Sequence, residues 1–337
     1  MLQLASRFLL SAVLLGAALP AQAVQRAYVS AINGNDANTA TGCAASAPCR
    51  WFAGAMTVVD PKGEVVAMDS GAYGAVTITQ SMSFTAAPGV YAGISVFAGN
   101  GVTIATPGVA VVLRGITINS MGAGTTGIHM SNGAKLSVER CVISNFPSGG
   151  RGVFVNTSAD VRVSGTLFRD NHDALVLSGG AKATIAGSEF YGSTDLAVWV
   201  TDLYGGSAVT TTAHIDRSVA SGGNGGFAAQ NTTAGNSSRV MVSDSLLSGN
   251  SAFGVQAYAA AGAAYASVRG SQFAENYMGM EVSGVGATLV ASDNGVVANS
   301  YGLVQGSSGV LESAQDNEVR SNGFNVWGTI TTAFTKM

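Results

Sequence analysis

The chain is expected to fold as an all-β parallel β-helix solenoid with an N-terminal capping helix, and three observations predict it. Apolar tetrads starting at Gly127, Gly152, Ala174 and Ala197 recur at spacings of 25, 22 and 23 residues, and the beat continues at Gly226, Gly254, Gly279 and Gly302. Asparagine keeps the same time at Asn119, Asn145, Asn171, Asn224, Asn250, Asn276, Asn299 and Asn322, with Ser193 or Thr194 on the missing rung. Each period also carries short runs of strict alternation, such as Val153 and Val155 around Phe154, then Val161 and Val163 around Arg162. Periods of 20–50 residues mark stacked repeats, and alternation marks strands with one buried face.

Residues 1–23 have the form of a secretory signal peptide: Arg7, an apolar run from Phe8 to Ala18, and an Ala21-Gln22-Ala23 cleavage site. The apolar core is too short to span a bilayer, and no later stretch is long and apolar enough to do so. A periplasmic or extracellular protein is therefore expected. Residues 24–62 read as an entry cap, with a short strand at Ala27–Ser30, a polar turn at Asn33–Asp36, and a helix within 48–59. The helix is signalled by Trp51, Phe52, Ala55, Met56 and Val59 on one face, and Asp60-Pro61 is expected to stop it. Residues 63–337 form the β-helix, its first rungs irregular.

Alternation assigns the inward columns. One is Ile143, Phe168, Phe190, Ala220, Leu247 and Phe273, and the other runs from Ile128 through Val153, Leu175, Val198, Phe227, Val255 and Met280 to Leu303. No rung buries its own apolar face, so the stack must be cooperative. The asparagine column is expected as a corner ladder, because Asn tolerates left-handed backbone and its amides bond between rungs. Cys43 and Cys49 flank a short loop and are expected to pair, a zinc pair being the alternative. Cys141 shares a column of small residues with Thr166, Ser188, Ser218, Ser245 and Ser271, which predicts a buried, inert thiol.

With 10% charged and 47% apolar residues the chain is not a disordered one, and 16 basic residues spread without a stripe argue against a nucleic-acid partner. The Gly-Asn-Asp entry segment, the stretch Asp69-Ser-Gly-Ala-Tyr-Gly-Ala-Val-Thr-Ile and the Asn-marked rungs resemble secreted right-handed parallel β-helix repeat proteins of the pectate-lyase-like superfamily. The resemblance covers nearly all of the chain after residue 23. It implies the fold, while the same fold hosts lyases, hydrolases, epimerases and adhesins.

The outward residues of the first strand in each rung supply the candidate site. Phe154 and Trp199 flank Val176, edged by Arg151 and Asp173, an arrangement suited to sugar rings and to a polysaccharide or cell-surface glycan. The alternative is that a loop at 179–182 or 203–207 folds over these residues, with Arg151 and Asp173 a plain ion pair one rung apart. Carboxylates thicken nearby: Asp170, Asp173 and Asp195 are candidates for acid–base chemistry, and Asp173, Asp195 and Asp202 for a calcium ion. The resemblance implies such a calcium in the lyases, with a basic residue removing a proton. Yet the Asn-Thr-Asp, Asp-Asp, Gly-His-Gly and Arg-x-Lys motifs of the galacturonase-type hydrolases are absent, as is the Trp-x-Asp-His pattern of pectate lyases. His129, His172 and His214 are scattered and expected in turns or on the surface. The leading expectation is a non-catalytic polysaccharide-binding or surface-interaction protein with no obligatory cofactor. A polysaccharide lyase or glycoside hydrolase is the first alternative, and a structural protein or adhesin the second.

Overall fold

A computed structural model describes residues 24–147 and 149–333 of the chain. The segment read as a signal peptide lies outside the described residues. No described helix is long and apolar enough to cross a membrane.

The chain winds as a parallel β-solenoid. Each regular rung contributes three strands, as in Arg151–Asn156, Asp160–Ser164 and Leu167–Arg169, and each strand hydrogen-bonds to its equivalent one rung away. We call the stacks formed by these three strand types sheets I, II and III. Sheet II holds 13 strands and runs from the cap to the last rung. Sheets I and III share the long strands Ala92–Ile104 and Ile116–Met130, which turn a corner without losing their pairing.

Both inward columns take the places expected of them. Ile143, Phe168, Phe190, Ala220, Leu247 and Phe273 stand in register and are buried, as are Ile128 to Leu303 on sheet I. Phe168 and Phe190 stack at 4.8 Å with an interplanar angle of 7°. Rungs repeat at about 4.8 Å, so like side chains stack at van der Waals distance and each large one adds about 2 kcal/mol when buried.

The cap differs from its expected form. The helix is only Phe52–Met56, Trp51 precedes it, and Val59 already opens the strand Val59–Ala67. Pairing with Val24–Val29 jumps from Val24↔Val59 to Arg26↔Glu64, so residues 60–63 form a bulge. Pro61 has no amide to donate and is tolerated there, where it was expected to end a helix. Phe52 and Ala55 are buried, and Phe52 packs on Tyr73 and Phe84 at 5.0 and 5.1 Å. Cys43 and Cys49 form the expected disulfide.

The asparagine ladder is real but shorter than the spacing suggested. Asn250, Asn276, Asn299 and Asn322 form an unbroken run, each side-chain amide donating to the next Oδ1 at 2.9–3.0 Å. Their amides also reach backbone carbonyls of the preceding rung, such as Leu247 and Phe273. The left-handed residue at this corner is the one before the ladder position, for example Glu275 (φ 59°) and Ala298 (φ 57°). Asn145 occupies that left-handed place (φ 63°), so Phe146 stands in its rung's ladder position. Gly223 replaces Asn224 in the same way, and Ser193, not Thr194, fills the missing rung.

Cys141 and its column form a second ladder. The backbone N–H of Cys141 donates to Thr166 Oγ1, and the pattern repeats through Ser188, Ser218, Ser245 and Ser271 at 3.1–3.3 Å. Burial pushes the Cys141 thiol up to about 11, so at neutral pH it is a protonated, enclosed group.

Candidate functional site

The four residues singled out on sheet I do come together. Register places Arg151 beside Asp173, and His129, Phe154, Val176 and Trp199 in one outward column. The rings of His129 and Phe154 stack at 5.1 Å, and the Arg151 guanidinium lies 4.3 Å from the Phe154 centroid. Of the two arrangements expected here the covered one is found: the loop at 203–207 folds over the aromatic face. Tyr204 meets Phe154 edge-on at 5.0 Å and Trp199 at 6.3 Å, and its hydroxyl accepts from Arg151 Nη2 at 2.6 Å. Phe154 is left 6% exposed. The cause is physical: uncovered, the ring would leave an apolar patch, and Arg151 Nη2 would lack the hydrogen-bond partner that Tyr204 supplies.

The carboxylates divide. Asp173 is buried, accepts from the Leu196 amide at 3.3 Å, and has Arg151 Nε at 4.0 Å and His172 Nδ1 at 3.5 Å. Asp195 joins this group, so that ligand atoms of His172, Asp173 and Asp195 lie within 4.8 Å of one another. Burial, then the charge of Asp195, pushes the Asp173 carboxyl above its ordinary value. Asp170 turns away to Arg169 at 3.3 Å and is exposed. Asp202 sits at the far end of the strand Leu196–Thr201, about 20 Å from Asp195 by strand rise, where it binds Thr232. The three carboxylates proposed for calcium, and the three proposed for acid–base chemistry, are therefore not brought together as sets. Two carboxylates and an imidazole beside a guanidinium do not supply the six to eight oxygens calcium prefers.

His172 was legible only as a scattered histidine, and Tyr204 only as part of the candidate covering loop at 203–207. His172 adjoins Asp173 and lies one rung from Asp195, at a separation of 23 that matches the repeat. Tyr204 gave no periodic signal, because it belongs to a loop.

An open concavity lies on the adjoining sheet II. It has a volume of about 570 Å³ and crosses the strands bearing Ala110, Lys135, Asp160, Lys182 and Thr212 in one column. Arg162, Thr184 and His214 stand in the next outward column. At about 4.8 Å per rung this groove is about 20 Å long. Lys135, Arg162 and Lys182 face it against one carboxylate, Asp160, and none of the three cations is in an ion pair among the described residues. The groove is thus locally cationic on a chain of net charge −3.

The model of the right-handed β-helix region matches residues 92–273. Among solved structures, pectate lyase Pel9A is similar at a TM-score of 0.55 and 16% identity, over 91% of this chain and 81% of that one. A lacto-N-biosidase from Eubacterium ramulus aligns at a TM-score of 0.44 and 10% identity, over 93% of this chain and 68% of that one. At such identities the likeness is one of fold. A search of curated protein sequences finds no match.

Proposed function

Because this chain belongs to the right-handed β-helix family, whose sites are grafted onto a common scaffold, we propose that it is an exported, non-catalytic polysaccharide-binding protein whose ligand is an acidic glycan lying across sheet II. The observation that carries this reading is the open groove, in which Lys135, Arg162 and Lys182 face outward and form no ion pair among the described residues, Glu139 feeling Arg162 only at longer range. Thr184 and His214 add hydrogen-bonding groups along the same track. A repeating polyanion meets one cation per rung or two, which suits ligands longer than a monosaccharide. The disulfide fits an oxidising compartment, where such glycans are met.

The test is affinity electrophoresis of the full chain through gels cast with polygalacturonate, alginate or no glycan. Retardation in the acidic gels should weaken with salt and be lost in Lys135→Glu/Lys182→Glu. Equal mobility in all gels sinks the reading.

A catalytic reading has one observation in its favour, the grouping of Asp173 with Asp195 and His172, where burial first and Asp195 second raise the Asp173 carboxyl above its ordinary value against the pull of His172. Release of reducing or unsaturated ends from these glycans, abolished in Asp173→Ala, would replace the binding reading with it.

A further inference from the structure

The last rungs of sheet I carry a second outward surface of different chemistry. Tyr277, Phe324 and Trp327 are 49%, 50% and 52% exposed. Tyr301 and Phe324 stand in register on successive strands, with rings stacked at 5.3 Å and 11°. Trp327 meets both edge-on at 5.6 and 5.3 Å, and Tyr277 meets Tyr301 at 5.4 Å. Tyr277, Phe324 and Trp327, unlike Phe154, stay about half-exposed among the described residues. Three positions along, the column Gln256, Glu281, Val304 and Trp327 begins as a chain of hydrogen bonds. Gln230 Nε2 donates to Gln256 Oε1 at 2.6 Å, and Gln256 Nε2 donates to Glu281 Oε2 at 2.7 Å. Glu281 Oε1 accepts from no donor among the described residues, and over these last rungs no lysine or arginine stands in either column.

We propose that this surface is a binding site for an uncharged glycan, with pyranose faces on Phe324 and Trp327 and hydroxyls on Glu281 and Gln256. Three half-open rings around the less exposed Tyr301 make a contiguous apolar platform, and such patches mark binding surfaces. An aromatic face attracts the C–H face of a sugar, and a ladder of amides ending in a carboxylate accepts its hydroxyl protons. Charge decides the class of ligand. A carboxylate without an ion pair among the described residues repels uronates and sulfated sugars, whereas it strengthens hydrogen bonds from neutral hydroxyls. The site is independent of the cationic groove, which lies on another sheet and selects the opposite charge class.

The experiment is affinity electrophoresis and titration calorimetry of the full chain with galactomannan, arabinogalactan and hydroxyethylcellulose, beside polygalacturonate. At least one neutral glycan should retard the chain. Trp327→Ala should weaken that binding about tenfold, Trp327→Phe should largely preserve it, and both should leave acidic-glycan retardation unchanged. Lys135→Glu/Lys182→Glu should do the reverse, so failure of one site is separable from failure of the other. Light scattering on the same samples reads the competing occupant. No retardation in any neutral gel overturns the proposal, as does a wild-type dimer that Trp327→Ala returns to monomer.

Discussion

The hydroxyl of Tyr73 donates to the Asp69 carboxylate at 2.6 Å, and that carboxylate also accepts from Ser30 Oγ and the Ala31 amide, tying the cap to the first rung. Burial alone would raise the Asp69 carboxyl, but the bonds from Ser30, Tyr73 and the amides of Ala31 and Ile32 outweigh it and hold it below its ordinary value. The Tyr73 hydroxyl is pushed up to about 12, by burial first and by Asp69 second. The Asp69-to-Ile78 stretch, which carried the family resemblance, is thus a fastening device. Asp69→Ala should cost about 2 kcal/mol, less what solvent screening removes at a half-buried site, and should expose the cap amides first. A carboxylate with a depressed folded value stabilises above its unfolded value and loses that contribution as pH falls through the folded one. Cap stability should therefore fall below about pH 4, a loss absent in Asp69→Ala. Amide exchange of the residues facing this hub reads both effects, and an unchanged cap in the variant would refute the role.

The Asn276 amide and carbonyl make five hydrogen bonds within the ladder and its corner, all buried. Four of them use side-chain atoms. Asn276→Ala strands the amides of Asn250 and the Leu247 carbonyl, a cost of about 3 kcal/mol at groups that cannot reach water. Asn224→Ala, on an asparagine outside the ladder, should change stability by under about 0.5 kcal/mol. Urea unfolding of the two variants side by side decides it, and equal losses would mean the ladder is not the stabilising feature.

Removing the cover on sheet I has a direct readout. Tyr204→Ala takes away the edge contacts to Phe154 and Trp199 and the hydroxyl partner of Arg151. We expect Trp199 emission to shift red and its acrylamide quenching to rise, with about 1–2 kcal/mol lost in stability. A Trp51→Phe/Trp327→Phe background isolates the Trp199 signal. An unmoved spectrum would show that Tyr204 is not what encloses the ring.

How much of this was legible depends on what repeats. The inward columns were readable because alternation and a shared period both specify them, and a one-residue slip would turn every side chain outward. The ladder was only half readable. Asn119, Asn145 and Asn171 are spaced by 26 residues, while the apolar column beside them, Ile118, Ile143 and Phe168, is spaced by 25. That mismatch of one already says Asn145 leaves the ladder, whereas Asn250 to Asn276 and Leu247 to Phe273 agree at 26. The candidate site was harder. Arg151, Phe154, Asp173 and Trp199 could be placed on one face, but exposure depends on Tyr204, whose loop carries no period. The cationic groove was missed because Lys135, Arg162 and Lys182 were scanned as sparse charges, not as neighbours in register.

The buried carboxylate on that face makes the last prediction, and the sign follows from its environment. Asp173 is raised above 3.8 by burial first and by Asp195 second, against the opposing pull of His172, the Leu196 amide and Arg151. Between the unfolded and folded values the native state keeps a proton that the unfolded chain releases, so stability falls as pH rises through that window. Above it the native state carries an ionised, enclosed carboxylate beside a second one. Asp173→Asn removes this titration. Its thermal midpoint relative to wild type should rise from acidic to neutral pH, with little difference below about pH 3.8, where both chains hold a neutral group. Asp195→Asn should move wild-type behaviour part of the way by removing the repulsion alone. The competing force is the Arg151 contact at 4.0 Å, too long for a hydrogen bond. If Asp173→Asn instead loses stability as pH rises, that ion pair outweighs burial and the carboxylate is an anchor, not a strained acid.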